Sequence, residues 1–223
     1  MSVRKGPETS PLFLKRLAVG ELQANCYIVA DEASSEAMVL DPGGDGERIL
    51  KIIEENSFRI ISIVLTHIHP DHVGAAQLVA GESGASLFMH SEDAFLLRNS
   101  SMSFSLRETE EKIDPSGLKT LGDKDKVWVG RFSFLVLHTP GHTPGSISIY
   151  GEGRVFTGDT LFAGGVGRCD LPGGDWQKLK DSIQDRLLRL PLETVVHPGH
   201  GPDTMLEKEL RSNPFIHELG IKR

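Results

Sequence analysis

Four apolar runs in this chain each break off into a loop carrying metal-ligating side chains, and that repetition constrains the fold more than any single motif. "SIVLT" leads to His67, His69, Asp71 and His72, and "FLVLHTPGH" to His138 and His142. "RVFTG" leads to Asp159, and "TVVHPGH" to His197 and His200. Short β-branched runs bounded by Gly and Pro read as strands. Loops at strand ends are where a rigid scaffold holds functional groups with little drift. The chain is therefore expected to be built on strands, with its chemistry at their ends.

The densest cluster is "THIHPDH", with three histidines and an aspartate in six positions. Side chains alternate along an extended segment, so His67, His69 and Asp71 can point to one side. His72 follows as the chain turns into a helix, and Pro70 stiffens the bend. One segment can thus serve two adjacent ions, and imidazole with carboxylate suits zinc, iron or manganese. In "HTPGH" and "VVHPGH" the first histidine ends an apolar run, where a core role fits, and the second follows Pro-Gly on a turn. That contrast favours His142 and His200 as ligands over His138 and His197. Asp159 either caps the next segment or is a carboxylate shared between two ions.

Around these loops the chain alternates strand and helix patterns. "LFLKRLAV", "CYIVA" and "AMVLD" read as strands, the last closed by "DPGGDG". In "DGERILKIIEEN" Ile49, Ile52 and Ile53 share one face of an amphipathic helix. "RIISIVLT" is a run typical of a strand covered on both sides. A helix "VGAAQLVAGES", a strand "ASLFMH" and a helix "SEDAFLLRN" follow. Residues 100–125 are polar and weakly patterned, as in a surface excursion. "KVWVG", "FSFLVLH", "SISIY" and "RVFTG" form a second set of strands. "DWQKLKDSIQDRLLRL" then places Trp176, Leu179, Ile183 and Leu187 on one stripe behind an Asp175 N-cap. "TVVHPGHGP" gives a last strand and loop, and "TMLEKELRSN" a last helix. Two sheets packed face to face, helices outside, in one domain over residues 1–223, is the expected organisation.

Composition excludes little but points consistently. A net charge of −7 argues against a nucleic-acid partner, because phosphate binding draws on clustered Lys and Arg. No apolar stretch approaches the ~20 residues that span a bilayer, and the N-terminal stretch lacks the apolar core of a signal peptide. With only Cys26 and Cys169, a reducing cytoplasm is the expected compartment.

Taken together and in this order, "THIHPDH", "PGHTPGS", "TGDTLF" and "HPGHG" resemble the metallo-β-lactamase fold superfamily. The likeness runs from "LQANCYIV" to "HPGHGPDT". It implies an α/β fold, a four-layer αβ/βα sandwich of two mixed β-sheets with outer helices. It also implies that His67, His69 and His142 bind one divalent ion and Asp71, His72 and His200 a second, with Asp159 bridging. The full histidine and aspartate set, with the Gly-rich "GDTLFAGGVGRCDLPGG", is similar to glyoxalase II and its short single-domain relatives. Arg168 stands where that family holds a glutathione carboxylate, although an ion pair with Asp170 accounts for it equally. Only 23 residues follow His200, too few for the helical C-terminal domain of glyoxalase II.

The activity so implied is hydrolysis of a small-molecule thioester, with glutathione as one candidate thiol and zinc as the expected metal. A hydroxide held between the ions attacks the carbonyl, with Asp71 and Asp159 at the reacting centre and Asp71 holding the nucleophile's proton. The alternatives are a mononuclear iron persulfide dioxygenase and, less favoured, a phosphodiesterase or nuclease of the same fold. Cys169 has Arg168 and Asp170 beside it but no local histidine base, so it is not expected to be a nucleophile.

Overall fold

A computed structural model of the chain describes residues 12–98 and 113–221. The first sheet is built in chain order from β1 (Leu12–Val19), β2 (Ala24–Asp31) and β3 (Glu36–Leu40), then, after helix α1 (Gly46–Glu55), from β4 (Arg59–Val64). Helices α2 (Pro70–Val73) and α3 (Ala76–Ser83) lead to β5 (Ser86–His90), and α4 (Ser91–Arg98) precedes β6 (Leu118–Leu121). The second sheet takes β7 (Lys126–Val129), β8 (Phe132–His138), β9 (Ile147–Gly151) and β10 (Arg154–Gly158). A small hairpin, β11 (Leu161–Phe162) and β12 (Gly165–Val166), and helix α5 (Trp176–Asp185) come before β13 (Val195–Pro198) and β14 (Thr204–Met205). Helices α6 (Leu206–Ser212) and α7 (Pro214–Glu218) close the fold.

Both six-stranded sheets are mixed, ordered β1-β2-β3-β4-β5-β6 and β14-β13-β10-β9-β8-β7. Alternation along each strand divides its side chains between two cores. Tyr27 and Val29 of β2, with Met38 and Leu40 of β3, meet Phe134, Val136, Ile149 and Phe156 of the second sheet in a central apolar layer. Their neighbours Ile28 and Val39 face the other way, against Ile49, Ile52 and Ile53 of α1 and Val79 of α3. On the far side Leu137, Val155 and Val196 pack on Leu179 and Ile183 of α5 and Leu206 of α6. Helix, sheet, sheet and helix thus form the four layers of the expected αβ/βα sandwich.

Strand direction positions the chemistry. β9 is antiparallel to both β8 and β10, and β13 is parallel to β10, so β8, β10 and β13 all end on one edge of the second sheet. In the first sheet β3 and β4 run parallel and end together, at Asp41 and at the "THIHPDH" loop.

Several local expectations need correction. Residues 100–112 of the polar stretch lie outside the described residues, but its later part is no surface excursion. Leu118–Leu121 adds to β5 as an edge strand with its two leucines buried; two polar residues between them hide the pattern. "VGAAQLVAGES" divides at Gly74–Ala75 between α2 and α3. Trp176 is 46% exposed and leaves the stripe expected of it, while Leu179, Ile183 and Leu187 are buried. Leu187 belongs to a separate 3-10 turn, Leu187–Arg189. Asp175 does cap α5, accepting from the backbone N–H groups of Gln177 and Lys178.

Candidate metal centre

The four ligand-bearing loops converge at the shared edge. The ligand atoms of His67, His69 and His142 all lie within 4.8 Å of one another, and so do those of Asp71, His72 and His200. We call these the first and second triads. His69 Nδ1 is 2.8 Å from His142 Nε2, and His200 Nε2 is 3.1 Å from Asp71 Oδ2 and 3.4 Å from His72 Nε2. Asp159 lies between the triads: Oδ1 is 3.3 Å from His72 Nε2, and Oδ2 is 3.6 Å from His142 Nε2 and 3.7 Å from His200 Nε2. Glycine at 199 makes this approach possible, since a Cβ there would fall 2.1 Å from Asp159 Oδ1.

Outer hydrogen bonds decide which nitrogen each imidazole offers. Asp41, at the end of β3, accepts from the Thr66 N–H at 2.7 Å and the Thr66 hydroxyl at 2.6 Å. With its proton so used, Thr66 Oγ1 accepts from His67 Nδ1 at 3.1 Å. His67 Nε2 is left as a bare lone pair, buried and without a hydrogen-bond partner. Asp41 Oδ2 also takes His72 Nδ1 at 3.0 Å, and the Arg168 carbonyl takes His142 Nδ1 at 2.7 Å. Both Nε2 atoms are thereby turned to the centre. Asp159 Oδ1 is likewise buried without a hydrogen bond. Two orphaned acceptors among imidazoles and carboxylates are a costly arrangement for protein alone, and fit a cation held there.

The triads differ in charge. Burial first, then the neighbouring imidazoles, holds His67 well below the ordinary histidine range, and His69 falls to about 4. Burial works the same way on His72, but the Asp159 and Asp41 carboxylates override it and raise it well above that range. The hydrogen bond to Asp71 raises His200 as well. Burial alone would raise Asp71, yet the bond from His200 and the charge of His72 bring it down to about 2.

Other residues named from the sequence lie apart from this cluster. His197 is buried, with its ring stacked on Phe156. His138 stacks on His90 at 4.0 Å and 14°, with its Nε2 donating to the Pro144 carbonyl at 2.9 Å. Glu92 completes a possible trio with that pair. Near-parallel rings direct their in-plane lone pairs along separate planes, however, and His90 Nδ1 already accepts from the Glu92 N–H. Arg168 is exposed, and its guanidinium makes two 2.7 Å bonds to Asp170. Both cysteines are free and buried. Sequence reasoning passed over Asp41 and Thr66, although Asp41 is a ligand-type residue at a fifth strand end.

The metallo-beta-lactamase superfamily model matches residues 19–200. The chain belongs to that superfamily. Among the curated metallo-beta-lactamase relatives, the probable metallo-hydrolase YqgX of Bacillus subtilis is 38% identical over 93% of this chain and 99% of its own length. The hydroxyacylglutathione hydrolase GloC of Haemophilus influenzae is also 38% identical, over 90% of this chain and 96% of its own. The solved BLEG-1 B3 metallo-beta-lactamase superposes with a TM-score of 0.83 at 36% identity, covering 92% of this chain and 99% of that one. TTHA1623, solved in a di-iron-bound form, gives 0.78 at 37% identity, covering 90% of this chain and 99% of that one. A metallo-beta-lactamase sandwich with His and Asp clusters able to bind metal is thus what this chain presents. No helix among the described residues is long and apolar enough to cross a membrane.

Proposed function

We propose that this chain is a thioester hydrolase of the short glyoxalase II-like kind, dependent on two divalent ions, with zinc as the native metal. The observation that carries the reading is the Asp159 carboxylate lying between two complete triads, within 3.7 Å of His72, His142 and His200. His67, His69 and His142 would hold one ion, Asp71, His72 and His200 the other, and Asp159 both. Such ions supply a nucleophile at neutral pH by lowering the pKa of water, and polarise the carbonyl under attack. The same donor types accept iron or manganese.

The protein's own groups do the rest. Asp71, ionised throughout the physiological range, accepts a hydrogen bond from the attacking water and orients it. Thr66, Asp41 and the Arg168 carbonyl keep the imidazole tautomers fixed while substrate enters. A thiolate leaves without a dedicated acid, because thiol pKa values lie near ~8.5. Arg168 offers a planar two-toothed site to a substrate carboxylate, exchanging it for Asp170. The similarity to GloC favours a glutathione thioester as that substrate. Two reduced, buried cysteines accord with a cytoplasmic place of work.

Similarity to BLEG-1 supports a second reading, hydrolysis of a β-lactam at the same centre. The deciding experiment measures metal per chain on protein purified without added metal. The same sample is assayed for S-lactoylglutathione hydrolysis, nitrocefin hydrolysis, and sulfite production from glutathione persulfide. Two ions with thioester turnover is the expected result. Nitrocefin turnover without thioester turnover would install the lactamase reading. A single iron with oxygen-dependent sulfite would replace both with a dioxygenase.

A further inference from the structure

Asp93, in the first turn of α4, is fully buried and belongs to neither triad. Its Oδ2 accepts from the Ile68 N–H at 3.0 Å and the Thr143 hydroxyl at 2.8 Å, and its Oδ1 from the Gly145 N–H at 2.6 Å. Ile68 lies between His67 and His69, and Thr143 follows His142. The first loop leaves β4 of one sheet, and the second leaves β8 of the other. One carboxylate therefore grips the two loops that together make the first triad. Position 145 is adapted to it: a Cβ there would stand 2.6 Å from Asp93 Cγ, so only glycine lets the backbone in this close.

A carboxylate is an expensive group to bury. Three donors meet two oxygens here, an arrangement that asparagine cannot copy, since its NH2 would face the N–H of Gly145 or of Ile68. We propose that Asp93 is the positioning residue of the first triad. It sets the distance between the His67–His69 loop and the His142 loop, and through that distance the affinity for the ion held there. The inference rests on the dinuclear reading above. Outer partners of metal ligands typically contribute about 10- to 100-fold in metal affinity.

The test is a chelator-competition titration of zinc into metal-free protein, wild type beside Asp93→Asn, with cobalt(II) absorption as a second readout. Asp31→Asn is the control: its carboxylate is equally buried and accepts from the backbone N–H groups of Ala33 and Arg131, one on each oxygen, at the end of β2 opposite the ligand loops. Wild type should take two ions. Asp93→Asn should loosen one step about 10- to 100-fold, leave the other unchanged, and weaken the cobalt band of the loosened site. Asp31→Asn should lower the melting temperature of the metal-free protein and leave both affinities as they were. Two unchanged affinities in a folded Asp93→Asn would overturn the clasp alone. If that variant does not fold, Thr143→Val, which deletes one of the three donors, decides: a smaller loss confined to one step supports the clasp, and no loss overturns it. Wild type binding fewer than two ions would instead bring down the dinuclear reading, and the clasp with it.

Discussion

The two triads lie a few ångströms apart and share the loop after β4, yet they stand at opposite ends of the protonation scale. The first is all imidazole, with His67 and His142 buried and His69 half-buried, and its histidines are lowered by burial first and by neighbouring imidazoles after it. The second mixes imidazole with carboxylate, and there His72 is raised well above the ordinary histidine range and His200 is raised as well, while Asp71 and Asp159 are lowered and stay ionised. In the second triad a proton fills the role that a cation would fill. A ligand set that is already bare binds an ion with little proton release, whereas a protonated one must give its protons up. The first triad is thus prepared for metal by burial, the second by countercharge.

Asp159 is the residue that joins the two, and its replacement is the severest way to break the comparison. Asp159→Ala should abolish thioester turnover with the fold intact. The loss should exceed the ~10- to 100-fold typical of outer-sphere partners, as read from kcat/KM and from metal per chain. Retained turnover with two ions bound would remove Asp159 from the centre.

Asp41 comes next, because it reaches both triads from outside: directly through His72 Nδ1, and through Thr66 to His67. We expect Asp41→Asn to weaken the second triad by about 10- to 100-fold and the first by less, measured as stepwise zinc affinities. Equal losses at both would mean that the Thr66 relay carries as much as the direct bond.

Much of this centre was legible in the sequence, and what was not has a physical reason. The strand-end rule found seven residues that the fold gathers, because a ligand-rich loop after an apolar run is a local pattern. Ile49, Ile52 and Ile53 of α1 and the Asp175 cap were readable for the same reason. Asp41 and Asp93 act through partners 25 or more positions away, and nothing local distinguishes them from a turn residue and an acid in a helix's first turn. β6 escaped because four residues, leucine at each end, carry no usable period. Trp176 was assigned to the core by hydrophobicity, although it is the first residue of α5 and projects from its end.

Acidity should separate the triads without any mutation. His72 and His200 have raised folded-state pKa values, so both take up protons more readily than an ordinary histidine, and lowering the pH strengthens the proton's hold on the second triad. His69, near 4, and His67, also held well below the ordinary histidine value, stay unprotonated over the same range. Acidifying the dinuclear protein from pH 8 to 6 should therefore release one ion first, with affinity falling up to about tenfold per pH unit for each proton taken up. In the metal-free protein, imidazole NMR shifts should place His69 near 4 and His72 above the ordinary histidine value. Simultaneous loss of both ions would contradict the division.

The smallest expected effect concerns how the second triad is fastened. His200 is its most open member, with 30% of its side chain exposed, and its loop is tied across the sandwich to β2. Asn25 Nδ2 donates to the carbonyls of Pro198 and Gly201 at 2.9 Å each, and the Tyr27 hydroxyl donates to that of Pro198 at 2.8 Å. The "HPGHG" loop is therefore held at its backbone by the opposite sheet, while His67 and His72 are held by burial. Tyr27→Phe removes one buried hydrogen bond and leaves the ring on Phe156 in place. It should cost about 1 kcal/mol of stability, a fall of roughly 2–4 °C in melting temperature for a domain of this size. Because Asn25 still holds the same carbonyl, the second ion should loosen only slightly and the first not at all. If the stability loss appears without any change at the second ion, burial of the loop suffices to place His200 and the tie to β2 serves the sandwich alone.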